Sequence, residues 1–266
     1  MSLDAVMLRL AELAPPPERP VAAEGDFSSA VADLGSPLPA DFRSLVCRYG
    51  YGTFGDHVHL WSPFFAPCTM MERSRATLEA DRMLARMHPK AVPFALFPEA
   101  AGALPWADTD NGDVAYWLTD RGAPDRWLVA IWNPRSGREP ALFESASDWL
   151  ASWLEASESR WFDPFRERRL VTIPLVEVVA SPYARRLDLL REALGPVVPR
   201  GAYGDEESEK RQVHFLASDG AWKITYDTVY GHALRLAAPP EELAAAEASV
   251  DRALHAMGCA RAEKRA

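Results

Sequence analysis

Between residues 92 and 144 the chain is a succession of short apolar runs, VPFALF, AYWLT, WLVAIWN and PALFE, separated by glycine, proline and aspartate. None is long enough for a packed helix, and their spacing is that of strands joined by turns. An antiparallel meander is the only regular structure such a stretch can build, because parallel neighbours need long crossovers. The flanking segments have helical spacing instead. Leu3, Val6, Met7, Leu10 and Leu13 share one face before Pro15-Pro16-Pro17 ends the first helix. Two short helices are expected at Phe27 to Leu34, closed by Gly35, and at Pro39 to Tyr49, closed by Gly50. A long one is expected from Thr69 to Met87, with Thr69 and Glu72 spaced as a capping box. A last one spans Ser147 to Ala156. TFGDHVHLWSP alternates as a strand between them. The pattern is α+β, an antiparallel sheet packed with helices, not alternating βαβ.

RWFDPFRERR, residues 160–169, breaks this pattern with a run of charge. The sequence divides there into a first domain over 1–160 and a smaller α+β domain over 166–266. The second is expected to run βαβββα: VTIPLVEVV, a helix to Leu194, the strands VHFLA, AWKITYD and HALRLA, and a helix from Pro240 to Met257.

The net charge of −9 is unevenly placed. Residues 1–165 carry 23 acidic and 14 basic side chains, whereas the remainder carries 15 of each. An acidic surface repels nucleic-acid phosphates and attracts cations, so the expected partner is a basic protein, not DNA or RNA. No apolar run reaches the roughly 18 residues of a membrane span. Asp4, with no basic leader or small-residue cleavage site in MSLDAVMLRLAELAPPP, leads us to expect an unexported protein. Three widely spaced cysteines, Cys47, Cys68 and Cys259, fit neither a disulfide framework nor a zinc knuckle, and a reducing cytoplasm follows.

The densest cluster of chemistry is Asp108-Thr-Asp110-Asn111-Gly112-Asp113. It opens like a calcium loop, but with Asp108 at position 1 the glycine falls at position 5, where an oxygen ligand is required, and Thr119 stands where the bidentate glutamate belongs. Asn-Gly instead favours a type I′ hairpin turn leading into a strand on which Val114, Tyr116 and Leu118 oppose Ala115, Trp117 and Thr119. Asp110 and Asp113 could in principle form an acid/base pair, although no second acid can be placed opposite them. His57 and His59 would share a strand face, but no third metal ligand is evident. His214 and His232 stand apart, and no nucleophile, nucleotide or metalloprotease motif occurs. No cofactor and no metal are therefore expected, and no catalytic residue is assigned. Eight of the nine tryptophans lie in the first domain. Trp106 and Trp117 flank the acidic turn, and a partner surface is expected from Trp106, Asp108, Asp110, Asp113 and Trp117, with burial of the indoles as the competing reading.

The order of Leu34-Gly35, Leu38-Pro39-Ala40-Asp41-Phe42 and Tyr49-Gly50-Tyr51-Gly52, then a strand, a long helix, and Gly112-Asp113 before another strand, resembles the SUKH superfamily over about residues 24–157. Tyr51 stands where the pattern commonly has glycine. The resemblance implies a non-catalytic binding domain. Many bacterial members resemble immunity proteins that neutralise toxins, often nucleases. A regulatory scaffold binding an endogenous partner, as the yeast relatives suggest, is the alternative. An enzyme with a cleft between the two domains is a third, disfavoured by the missing catalytic pairs. Residues 166–266 lie outside the resemblance.

Overall fold

A computed structural model describes residues 2–119, 122–136, 138–157, 159–205, 209–217 and 221–262. Contacts divide the chain into two units, residues 1–165 and 166–266. Both are mixed α+β with antiparallel sheets.

The first unit runs α1 (Leu3–Leu13), α2 (Ser28–Leu34), α3 (Ala40–Tyr49), β1 (Gly52–Phe54), β2 (Val58–Leu60), α4 (Met70–Met87), β3 (Ala103–Thr109), β4 (Val114–Leu118), β5 (Leu128–Trp132), β6 (Ala141–Phe143), α5 (Ala146–Ala156) and β7 (Phe162–Pro164). Its seven strands lie in the order β6-β5-β4-β3-β2-β1-β7. The anticipated capping box is present: Thr69 Oγ1 accepts the Glu72 N–H, and the Glu72 carboxylate accepts the Thr69 N–H. Gly50 follows α3 at φ +71, and a Cβ there would lie 2.2 Å from the Val21 carbonyl oxygen. Only glycine fits a backbone bent so close to another.

Two stretches differ from the sequence expectation. VPFALF forms no strand; only Leu96 makes an isolated bridge, to Ala103, while Val92 and Phe94 pack beneath the sheet. TFGDHVHLWSP is two strands about a turn at Gly55-Asp56, not one. The central strand β3 went unread because Pro105 sits inside it. Proline cannot donate to a ladder, and here the register shifts between Pro105 and Ala107, a bulge that absorbs it.

The bulge sorts the side chains. Leu104, Trp106, Ala107, Ala115 and Trp117 all join the main core beneath α1, α3 and α5. Tyr116, with Ala103 and Trp132, forms a second, smaller core against Leu84, Val92 and Phe94. Phe42 meets both Trp106 and Trp117 edge-on, at ring separations of 5.6 and 4.9 Å, and the two indoles stack at 5.3 Å. These arrangements suit the ring quadrupoles and add to the burial of large apolar faces.

The second unit is β8 (Arg169–Glu177), α6 (Tyr183–Leu194), β9 (Val197–Asp205), β10 (Lys210–Ala217), β11 (Lys223–Asp227), β12 (Ala233–Ala238), α7 (Leu243–Ala256) and β13 (Cys259–Arg261), with strand order β13-β8-β12-β11-β10-β9. It is βαββββαβ, so the expected βαβββα pattern lacked both edge strands. β9 carries Pro199, Gly201 and Gly204, residues an edge strand tolerates, and β13 spans only three residues. Leu190, Phe215, Tyr226, Leu236 and Val250 centre its core. Arg186 is 5% exposed there, donating to Tyr226 Oη at 2.8 Å and pairing with Glu177 at 2.9 Å. A buried guanidinium so satisfied is structural.

Candidate functional site

The acidic cluster closes the β3–β4 hairpin, but not by the turn its Asn-Gly pair suggests. Type I′ geometry requires positive φ at both central residues. Gly112 has φ +80, whereas Asn111 is absent from the positive-φ positions. The loop instead has three residues, Asp110 to Gly112. The Gly112 N–H bonds the Thr109 carbonyl at 2.9 Å, and the Thr109 N–H bonds the Asp113 carbonyl at 2.9 Å. Thr109 explains the choice: its hydroxyl donates to the Asp113 carboxylate at 2.8 Å and accepts the Asp113 N–H at 3.1 Å, fixing the five-residue closure.

The bulge then decides where the acids face. Asp108 pairs with Val114 across the hairpin and with His59 of β2 on the other side. Its carboxylate accepts the Trp61 indole N–H at 3.0 Å and lies 3.5 Å from His59 Nδ1. The other ring nitrogen, Nε2, is 2.8 Å from Asp110 Oδ1. Only an imidazolium can donate from both nitrogens. Hydrogen bonding to Asp110 accordingly raises the His59 pKa, against the desolvation that lowers it. Asp110 is the most exposed of the three acids, while Asp108 and Asp113 are half-buried.

Arg73 of α4 sits behind this group. It donates to Tyr51 Oη at 2.6 Å, and its guanidinium carbon lies 5.4 Å from the Tyr51 ring centre and 5.8 Å from that of Trp61. Aromatic faces hold this cation in place of a carboxylate. Tyr51, in the position where glycine is common, also stacks on Phe65 at 3.9 Å and so supports the wall beside the hairpin.

The structure thus brings together Asp108, Asp110 and Asp113 of the expected surface and removes its two indoles. Trp106 is wholly buried and Trp117 is 1% exposed. Neither is open beside the acidic turn, because the bulge and the ladder register turn both toward α3. What the sequence reading missed was His59 as a counter-ion for two of the acids. Its pairing opposite Asp108 became legible only with β3 read as a strand. His57 parts from His59 and stacks on Trp153 at 5.6 Å. Among the described residues no group of three or more His, Cys, Asp or Glu is placed to hold a metal ion. No helix among them is long and apolar enough to cross a membrane.

What this arrangement can do is present carboxylates, one of them open to solvent, on a braced hairpin. Asp110 and Asp113 are tied to His59 and Thr109 respectively, so they face no common reaction centre. Compared with known proteins, residues 24–150 match a family model, SUKH_6, described as SMI1-KNR4 cell-wall. No curated protein and no solved structure matches the chain.

Proposed function

Since residues 24–150 belong to the SUKH superfamily, we propose that the protein is a non-catalytic binder, an immunity protein that neutralises a cognate toxin domain. SUKH domains serve in general as immunity proteins or in cell-wall-related roles. The observation that carries the toxin reading is the concentration of the chain's excess negative charge in residues 1–165, where 23 acidic side chains face 14 basic ones. A nuclease toxin needs a cationic surface for phosphate, and an acidic protein complements that surface and gains association rate from it. The hairpin acids Asp108, Asp110 and Asp113 form part of the toxin-facing surface.

Co-expression with the toxin domain encoded beside its gene tests this reading. Growth should be rescued and a stable complex recovered. Replacing Asp108, Asp110 and Asp113 by asparagine keeps their acceptor oxygens while removing charge, and should weaken association about tenfold, mainly in the on-rate, with a flatter salt dependence. Failure to protect together with failure to bind any such domain rejects it. The cell-wall description of the matched family favours a second reading, a regulatory scaffold for an endogenous protein. That reading requires complex formation without any toxin.

A further inference from the structure

A second polar site lies in the first unit, away from the acidic hairpin. Where the starts of α1, α3 and α5 meet the turn at Pro124–Arg126, a cavity of about 310 Å³ opens to solvent. Its size is at the lower end for sites that bury a small group. Its walls include Pro39, Pro124, Trp117 and Trp127, and its polar groups include the carboxylates of Asp41 and Asp125.

Three observations characterise what it lacks. Neither Asp41 nor Asp125 makes an ion pair with a basic side chain among the described residues. Both are instead bound to helix starts: Asp125 Oδ1 accepts the Ala40 N–H at 2.6 Å, and Asp41 Oδ2 accepts the Ser147 N–H at 2.9 Å. A carboxylate has about four acceptor positions; Asp41 fills three of them, from the Phe42 N–H at 2.7 Å and from the Ser147 N–H and hydroxyl, while the second oxygen of Asp125 makes no bond among the described residues. Finally, the indole N–H groups of Trp117 and Trp127, on side chains 1% and 5% exposed, are buried without an acceptor. A buried donor left unpaired is costly, and native structures seldom keep one without reason.

We infer that this cavity seats an arginine side chain of the basic protein partner. A guanidinium is planar, stacks on indole and forks toward carboxylates, which matches walls of tryptophan and proline closed by two acids that have no basic partner among the described residues. The carbonyl of the same partner segment is the acceptor the indole N–H groups lack. The inference rests on the reading of the protein as a binder of a basic partner and names how one residue of that partner is held.

The test uses the full chain, labelled with nitrogen-15, and N-acetyl-arginine methylamide as probe. The indole signals of Trp117 and Trp127, assigned through Trp→Phe variants, should shift together with a Kd of roughly 1 mM. The citrulline analogue, equal in shape and uncharged, should leave them unmoved. Asp41→Asn with Asp125→Asn, which keeps one acceptor oxygen on each side chain for the Ser147 and Ala40 N–H groups, should weaken probe binding about tenfold. Absence of any shift, equal binding of the citrulline analogue, or full binding by the double variant would each overturn the inference, and so would tighter binding of free arginine, which would mark a metabolite site. Because the probe replaces the partner, these results are independent of growth rescue. Rescue without probe binding sinks the cavity alone, and probe binding without rescue sinks the toxin reading alone.

Discussion

His59 Nε2 lies 2.8 Å from Asp110 Oδ1 while its other nitrogen faces Asp108, so one imidazole answers two carboxylates of the acidic hairpin. Its folded-state pKa is raised above the ordinary histidine value, chiefly by the Asp110 hydrogen bond. The contribution to stability is therefore fully present below the unfolded-state pKa and is lost as pH rises through the folded one. A proton titration followed by NMR should place the His59 midpoint above about 6.5, and Asp110→Asn should lower it. The same deprotonation uncovers negative charge, so affinity for a cationic partner should increase across that midpoint in the parent protein and change less in His59→Gln.

Asp81 is 6% exposed and accepts the Tyr116 hydroxyl at 2.9 Å. Burial raises the Asp81 pKa, with the tyrosine hydrogen bond opposing, and it raises that of Tyr116 as well. A carboxyl whose folded pKa is raised weakens the fold as pH climbs through that value. Asp81→Asn should accordingly be neutral or stabilising near pH 7 and lose any advantage in acid, as measured by urea unfolding. Tyr116→Phe strands the buried carboxylate and should cost about 1–3 kcal/mol.

At the start of α5, the Ser147 N–H and hydroxyl both donate to Asp41, at 2.9 and 3.2 Å, although Asp41 belongs to α3. One carboxylate thus caps a neighbouring helix. Asp41→Ala should cost about 1 kcal/mol in denaturant unfolding, and Asp41→Asn much less, since the amide oxygen still accepts.

Gly50→Ala should be poorly tolerated. Its Cβ would enter the Val21 carbonyl at a backbone angle that L-residues rarely adopt. The strain alone is about 1–3 kcal/mol, and the clash is with backbone, which cannot swing aside as a side chain would. Thermal unfolding against Gly35→Ala, where nothing lies within 4 Å of the added carbon, separates the clash from the angle.

The helices of the first unit were legible because their apolar faces, proline stops and the Thr69–Glu72 box act over a few neighbouring residues. The landmarks Tyr49-Gly50 and Gly112-Asp113 were legible for a similar reason, since each fixes a local backbone shape. β3 was hidden by Pro105, whose place in a strand depends on a bulge formed only with β4. β7 and β13 are three residues long and exist through their partners, β1 and β8. VPFALF has the composition of a strand, yet its apolar side chains fill the smaller core from a loop. The candidate site was half visible. Its acids stand together in sequence, but His59 reaches them only through register, and Trp106 and Trp117 look like anchors until the sheet turns them inward.

The bulge at Pro105 to Ala107 acts as a phase shifter. In an unbroken ladder, successive residues from Leu104 would point in, out, in, out, and Asp108 would fall among the indoles of the main core. One additional residue lets Trp106 and Ala107 both face inward and delivers Asp108 to the opposite side, beside His59. The polarity of this surface is thus set by chain length as much as by residue type. Paired without the bulge, the same residues would exchange inside for outside from Ala107 onward, with every acid still present in the sequence and Asp108 turned away from the surface.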